Sequence, residues 1–405
     1  MAKVAFGTYR INEYNQTHID ALTKALRSGI ALIETSTNYT NGSAERAIAK
    51  ALKHFDTSIL ERVEIVGKCG YIQGELLEEF KKKEPSEEVV CYKENCYHSI
   101  APWFIKQQLQ NSLENLGVDK LDCYMLHDPQ YYIYDAVNKN IDKKLYEKEM
   151  QNRIFEAFVA LEELVSEGKI LSYGISSQSF SLPKEDELFL EYENLPALAK
   201  EASLCVGNTK DSFTTIELPV NIIEKYGLNC SFWAKEQNLR VLSSRTLSGI
   251  YNDQPYRLAE YDEPRDYYMY LNELLEFCDN ELLLPIYNLI NGLDETIHKF
   301  NYIGEYDSFV HSNILPHVKN TLLKVDGDTQ EKMIHYIELF LENYRQMVLH
   351  VSGKKTRDIL KIYFKNCTAT MQECALNYML QQESVDFALV GARKMSYVEQ
   401  ILETS

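Results

Sequence analysis

The chain has no run approaching the roughly 18 apolar residues that a membrane-spanning helix needs, and no low-complexity tract. Basic residues are scarce. Against 60 Asp and Glu stand 42 Lys and Arg, a formal net charge of −18, which excludes nucleic acid and anionic membrane surfaces as general partners. A small anionic cofactor held by a few local cations is compatible with that balance. The first residues, MAKVAFG, contain no basic stretch followed by an apolar one. Nine cysteines are scattered through the chain, so a reducing, cytoplasmic compartment with free thiols is expected. Metal-ligand spacing is equally rare. Cys91-x4-Cys96-x-His98 offers three ligands with no second pair to close a tetrahedral site, and no metal is expected.

What is present is a repeating alternation of strand and helix. Val4–Tyr9 reads as a first strand, and Ile19, Leu22, Thr23 and Leu26 then fall at helical spacing, with Thr17 as N-cap and Gly29 as the stop. Ala31-Leu32-Ile33 follows as a second strand, ended by Glu34. Helix Ser43–Phe55 leads to strand Val63–Cys69, helix Trp103–Leu116 to strand Leu121–His127, and helix Ile154–Ser166 to strand Ile170–Ser176. A helical stretch near Glu185–Ala202 precedes strand Thr214–Pro219. Helix Ser231–Gln237 then leads to Arg240–Ser244, and helix Met371–Leu380 to Asp386–Gly391, with a last helix at Ser396–Glu403. Eight strands, each followed by a helix, predict an α/β fold closed as a (β/α)8 TIM barrel. At 405 residues the chain is long enough for such a barrel with insertions.

Three segments break the rhythm. Gly74–Ala101 carries the charge run Lys81–Glu84 and Pro85, and Asp128–Gln151 is rich in tyrosine and then in lysine and glutamate. Both are longer than usual connections after a strand. The largest interruption, residues 250–367, shows helical stretches such as Tyr267–Cys278 and Lys332–Val351 and no strand alternation. It is expected to form a mostly helical insertion between strand 7 and helix 7, over or beside the barrel mouth, with residues 1–249 and 368–405 forming the barrel. Tyr267, Tyr268, Tyr270 and Phe277 at near-helical spacing read as core of that insertion.

Barrels of this kind keep their chemistry at the C-terminal strand ends. Glu34 ends the second strand and Tyr39 lies just beyond it; Lys68 is near the end of the third strand, and His127 ends the fourth. Each alone has an ordinary structural explanation. Together they make a proton-transfer device, in which an ammonium beside a phenol lowers its pKa from about 10, a carboxylate holds the ammonium and an imidazole orients a bound carbonyl.

These residues sit in motifs that resemble the aldo-keto reductase superfamily. The family's first signature is matched by Gly29, ALIETS, Tyr39-Thr40-Asn41-Gly42 and Glu45, its lysine by Lys68 in IVGKCG, and its histidine by His127 in LDCYMLHDP. GKILSYGISS and ALVGARKMSYVEQILE are similar to later segments, so that Val4–Ser248 and about Ala369–Ser405 are covered. The resemblance implies reduction of an aldehyde or ketone by hydride transfer from a nicotinamide, with NADPH as the commoner cofactor and NADH as the other. Tyr39 would then protonate the carbonyl oxygen, Lys68 tune Tyr39, Glu34 hold Lys68 and His127 position the carbonyl. It also implies that Gly7, Thr8, Tyr9, Ser176, Ser177, Glu217, Arg245 and Leu247 line the cofactor, and that Gly391, Arg393 and Gln400 receive the adenosine 2′-phosphate.

The chain departs from the family pattern around that cofactor. Glu34 replaces an aspartate, Glu217 a glutamine, Thr40 a glycine, Ala44 a serine and Thr246 a proline, and Ser243 stands near a common aromatic position. These changes and the insertion motivate a second reading, a non-catalytic barrel serving as a sensor or protein-interaction module. A third reading, a lyase with Lys68 as Schiff-base nucleophile, is disfavoured by the adjacent tyrosine and carboxylate. The expected partner is a small-molecule carbonyl substrate; oligomeric state is not legible.

Overall fold

In the computed structural model, residues 1–82 and 88–405 are described. The chain divides into two compact units, residues 1–246 with 375–405 and residues 247–374. In the first, eight parallel strands among the described residues close into a barrel: β1 Lys3–Gly7, β2 Leu32–Glu34, β3 Glu64–Cys69, β4 Cys123–His127, β5 Tyr173–Ser176, β6 Phe213–Pro219, β7 Arg240–Ser244 and β8 Phe387–Val390. Each strand pairs with its neighbours in sequence, and β8 returns to β1. The main helices that follow the strands or lead into the next are α1 Gln16–Arg27, α2 Ser43–Leu52, α3 Pro102–Leu116, α4 Lys143–Ser166, α5 Leu195–Val206, α6 Gly227–Glu236, α7 Met371–Leu380 and α8 Met395–Thr404, beside shorter ones such as Thr57–Leu60 and Tyr131–Asn138.

Periodicity explains the layering. In α1 the buried residues are Ile19, Ala21, Leu22, Thr23, Ala25 and Leu26, one stripe of a 3.6-residue repeat. Its N-cap is Asn15, whose Oδ1 accepts from Thr17 N at 3.0 Å. Thr17 is therefore one turn position too late to be the cap, since an asparagine two residues earlier reaches the same free N–H. Along the strands the period is two. Ala5, Leu32, Val66, Met125, Leu242 and Leu389 form a buried interior layer with Cys123. Two residues further along the same strands stand Gly7, Glu34, Lys68, His127, Ser244 and Gly391. One apolar layer thus floors a polar one.

Several sequence expectations are corrected. Gly74–Ala101 is no plain loop: it holds a helix, Gly74–Phe80, and strands Val90–Lys93 and Cys96–His98, which join Tyr71–Ile72 in an antiparallel sheet. Of the charge run Lys81–Glu84 and Pro85, residues 83–85 lie outside the described residues. Helix α4 extends back to Lys143, where Asp142 Oδ1 caps Lys144 N at 3.0 Å. Helix α5 begins only at Leu195, with Pro196 in its first turn, because Pro183 and an aspartate turn (Leu188 N to Asp186 Oδ1, 2.9 Å) keep the preceding residues irregular.

The second unit opens with a hairpin, Ser248–Tyr251 paired to Gln254–Arg257, where no strand alternation was expected. Asn252 and Asp253 turn it at φ of 50° and 60°, the left-handed pair that a two-residue hairpin requires. The rest is helical, with its longest helix spanning Gly327–Ile359. Tyr267, Leu271, Leu274, Ile286, Ile290, Met333, Ile337, Phe340 and Tyr344 form a core belonging to this unit. Tyr267 is buried there as expected, whereas Tyr268 is exposed. Cys367 and Cys374 are bridged, with Cα atoms 6.1 Å apart, which contradicts the expectation of free thiols throughout. Compartment reasoning says nothing about two thiols that the start of α7 brings within bonding reach. Among the described residues, no helix is long and apolar enough to cross a membrane.

Candidate active site

The polar layer at the C-terminal strand ends converges on Lys68. Its Nζ meets Glu34 Oε1, and lies 2.7 Å from Glu217 Oε1. Tyr39 Oη donates to the same Glu34 oxygen at 2.9 Å, and Ser176 Oγ donates to Glu217 Oε1 at 2.9 Å. A continuous chain of polar contacts therefore runs from Tyr39 through Glu34, Lys68 and Glu217 to Ser176, joining β2, β3, β6 and β5. All five side chains are buried; Lys68 is 1% exposed.

Local backbone conformation delivers Tyr39. After Glu34 the chain turns at Ser36, whose carbonyl accepts from Tyr39 N at 3.0 Å. It then passes through Thr40, Asn41 and Gly42 at φ of 49°, 54° and 75° before α2 begins. A β-branched residue in the left-handed region is costly, by roughly 1–2 kcal/mol. Thr40 Oγ1 donates to Ile11 O at 2.8 Å, which offsets part of that cost. The Tyr39 ring meets Tyr9 edge-on at 5.2 Å and His127 edge-on at 5.9 Å.

His127 is tied to the same cluster from β4. Ser36 Oγ lies 3.1 Å from its Nδ1, and His98 Nε2 lies 2.7 Å from its carbonyl oxygen. Next to it Asp128, at φ 52°, accepts from Tyr71 Oη at 2.5 Å, Gln130 Nε2 at 2.7 Å and Gln178 N at 3.1 Å. The Asp128 Oδ2 to His127 Nε2 distance is 3.8 Å.

Burial and charge set the protonation states. Burial pushes the Tyr39 phenol well above its ordinary value, Glu34 pushes it further, and Lys68 pulls back without prevailing. Lys68 lowers the phenol, as expected of a neighbouring ammonium, but burial and Glu34 outweigh it and the net shift is upward. Burial would lower Lys68, but Glu217 and Glu34 outweigh it and hold the ammonium well above its usual range. Burial raises Glu217 to about 7. Burial, with Lys68, keeps His127 well below its usual range, so the imidazole is neutral. Burial alone would raise Asp128; His127 and the Tyr71 and Gln130 donors reverse this and keep it low.

The structure brings Tyr39, Glu34, Lys68 and His127 together. Glu217, expected beside a cofactor amide, has its Oε1 committed to Lys68 and Ser176, and its Oε2 is buried without a hydrogen-bond partner. Ser177 Oγ donates to Gln130 Oε1 at 2.7 Å. Arg245, at φ 59°, pairs with Glu224 at 3.0 Å. Leu247 lies in the second unit, its carbonyl accepting from Leu258 N. Gly7 and Thr8 close β1, with Thr8 Oγ1 donating to Glu34 O at 2.9 Å, and Tyr9 is exposed. Gly391 follows β8 directly; Arg393 is partly buried and Gln400 exposed on α8. Ser243 is buried one residue from Leu242 of the interior layer, which puts it on the opposite face of β7. Sequence reasoning missed Ser36, Tyr71, His98, Asp128 and Gln130. The His127-Asp128-Pro129 run was the available signal, since a histidine and an acid stand together at a strand end.

Cys91, Cys96 and His98 are not gathered on one point: Cys91 is exposed, Cys96 Sγ accepts from Gln73 Nε2 at 3.4 Å, and His98 points to His127 O. Among the described residues no three His, Cys, Asp or Glu side chains converge as a metal site would require.

Comparison with known proteins bears on the barrel. Residues 3–191 match the model of the aldo/keto reductase family. An NADH-specific methylglyoxal reductase of Escherichia coli K12 is 27% identical over 195 residues, covering 47% of this chain and 49% of that one. An NADPH-dependent aldose reductase of Saccharomyces cerevisiae is 29% identical over 160 residues, covering 33% of this chain and 48% of that one. The chain thus spans about half the length of the curated relatives it matches. Among solved structures, an aldo-keto reductase from Bacillus halodurans in its holo form superposes with a TM-score of 0.50 at 16% identity, covering 99% of this chain and 86% of that one. That likeness supports the barrel fold.

Proposed function

We propose, on the match of residues 3–191 to the aldo/keto reductase family, that the chain is a member of that superfamily and a cytoplasmic, nicotinamide-dependent oxidoreductase that reduces a small aldehyde or ketone to an alcohol. The observation that carries this reading is the buried contact of Tyr39, Glu34 and Lys68 on adjacent strand ends, beside a neutral His127. A phenol held protonated, with a cation behind it, is a proton donor whose conjugate base is stabilised where it forms.

The residues around the cluster fit a dinucleotide. Gly7 and Gly391 end adjacent strands without side chains: a Cβ on Gly7 would come 3.4 Å from Glu34 Oε2, and one on Gly391 would come 3.2 Å from Gly7 O. Bare backbone there leaves room for a flat ring. The unpartnered Glu217 Oε2 is free to meet a carboxamide, accepting from its N–H when ionised and donating to its oxygen when protonated. On this reading Gly7, Thr8, Tyr9, Ser176, Ser177, Glu217 and Arg245 hold the nicotinamide half, and Gly391, Arg393 and Gln400 the adenosine half. Arg393 makes NADPH the preferred form, since a guanidinium pairs well with a phosphate. When bound, the dinucleotide supplies the hydride.

The protein's own contribution is proton transfer and orientation. Tyr39 Oη turns from Glu34 Oε1 to the carbonyl oxygen and gives up its proton there. Lys68, anchored by Glu34, stabilises the phenolate left behind. His127, kept neutral and fixed by Ser36 at Nδ1, orients the carbonyl. The test is a titration of NADPH and NADH by fluorescence, followed by turnover of a small 2-oxoaldehyde. Saturable binding with carbonyl-dependent oxidation of the cofactor supports the reading; no binding at millimolar cofactor contradicts it and favours the non-catalytic alternative.

A further inference from the structure

Glu217 carries two features that bear on the proton donor. Its Oε1 accepts from both Lys68 Nζ and Ser176 Oγ, while its Oε2 is buried and has no partner. Lys68 is therefore held between two carboxylates, each with a side chain at most 4% exposed.

A charge count shows why this matters. With both carboxylates ionised and Tyr39 neutral, the cluster of Glu34, Lys68, Glu217 and Tyr39 carries −1. Giving the Tyr39 proton to a carbonyl oxygen would leave −2 in a buried site, which like-charge repulsion opposes. A proton on Glu217 changes the sequence to 0 before transfer and −1 after it. The geometry marks the place for that proton: Oε1 is occupied as an acceptor, and a bare, unpartnered carboxylate oxygen at Oε2 is the costlier alternative to a hydroxyl.

We propose that Glu217 is a positioning residue for the reduction, acting through Lys68: protonated, it leaves the ammonium to Glu34 and Tyr39, and ionised, it draws the ammonium away and weakens the proton donor. The proposal rests on the reductase reading. Facing Glu217 are Glu34 from β2, Tyr39 from the loop after β2, Lys68 from β3, His127 from β4 and the uncharged Ser176 from β5. Ser244 of β7, Gly7 at the end of β1 and Gly391 just after β8 add no charge. Of these, Lys68 favours the Glu217 anion and Glu34 opposes it, and burial raises the group to about 7. The reaction balances without net change at Glu217. Hydride reaches the carbonyl carbon, the Tyr39 proton reaches its oxygen, solvent reprotonates the phenolate, and Glu217 keeps its own proton throughout.

The experiment combines the pH dependence of kcat for carbonyl reduction with 13C NMR of Cζ-labelled tyrosine in the full-length protein, for wild type, Glu217→Gln and Glu217→Asp. Wild type is expected to lose roughly tenfold in kcat between pH 7 and 9, a size ordinary for weakening one general acid. Glu217→Gln should be flat over that range, and Glu217→Asp should retain the limb. The Tyr39 Cζ resonance, identified by its absence in Tyr39→Phe, should step near neutral pH in wild type and not in Glu217→Gln. A limb unchanged in Glu217→Gln, or a Tyr39 resonance with no step in wild type, overturns the proposal. The NMR arm does not need turnover: a step without carbonyl reduction by any form counts against the reductase reading and upholds the Glu217–Lys68–Tyr39 coupling.

Discussion

Tyr39 Oη and Lys68 Nζ meet the same oxygen, Glu34 Oε1, the phenol as a donor at 2.9 Å. One carboxylate oxygen therefore anchors both the acid and the cation that tunes it. With burial and Glu34 holding the phenol above its ordinary value, Tyr39 stays protonated across the neutral range, as a proton donor in carbonyl reduction must. Replacing it tests that role alone. Tyr39→Phe removes the hydroxyl and keeps the ring between Tyr9 and His127. Reduction should fall by about 10²–10⁴-fold with cofactor binding unchanged, measured by steady-state kinetics beside a fluorescence titration.

Lys68 is the one cation between two buried carboxylates, so its loss should be felt in stability as well as rate. Removing one partner of a buried ion pair costs roughly 3–5 kcal/mol. Lys68→Met should lower stability to urea by about that much at pH 7.5. Adding Glu217→Gln should recover part of the loss by removing one stranded charge. Equal stability of Lys68→Met and wild type would contradict the account of the pair.

His98 links the small antiparallel sheet to β4 through His127 O, and burial lowers it to about 4. For a base whose folded pKa lies below its unfolded value of about 6.5, stability is present above the unfolded value and lost as pH falls through the folded one. Folded protein should therefore lose up to roughly 1.4 kcal/mol per pH unit between about 6.5 and 4 through this group. Urea unfolding of wild type and His98→Gln at pH 7 and 4.5 isolates it. The difference between the two should shrink at the lower pH, and the other titrating groups, common to both proteins, cancel.

Arg393 stands on the segment after β8 that would receive a 2′-phosphate. A charged hydrogen bond is worth about 1.5–3 kcal/mol, so Arg393→Ala should raise KM for NADPH at least roughly tenfold and leave KM for NADH nearly unchanged. A parallel rise for both cofactors would assign the phosphate elsewhere.

Much of this site was legible because strand alternation and short motifs place Glu34, Tyr39, Lys68 and His127 at neighbouring strand ends. The partner of Glu217 was not. Its parity on β6 makes it face inward, but which inward group it meets, 149 residues away on β3, depends on the stagger of the closed barrel. Asp128 was passed over because an acid before proline reads as a turn residue. The hairpin at 248–257 was hidden by Pro255, which argues against a strand unless it lies on a two-stranded edge. The Cys367–Cys374 bridge was missed because the thiols were judged by compartment rather than by their separation.

The central claim is that Tyr39 delivers a proton while a bound dinucleotide delivers hydride. It is tested most directly by single-turnover reduction of a 2-oxoaldehyde with preloaded NADPH deuterated at the transferring position, run with wild type and Tyr39→Phe. The account predicts deuterium in the alcohol product of wild type, a primary isotope effect, and a rate at least 10²-fold lower in the variant. Full cofactor binding with no deuterium transfer by wild type, or transfer at equal rates by both proteins, would contradict it.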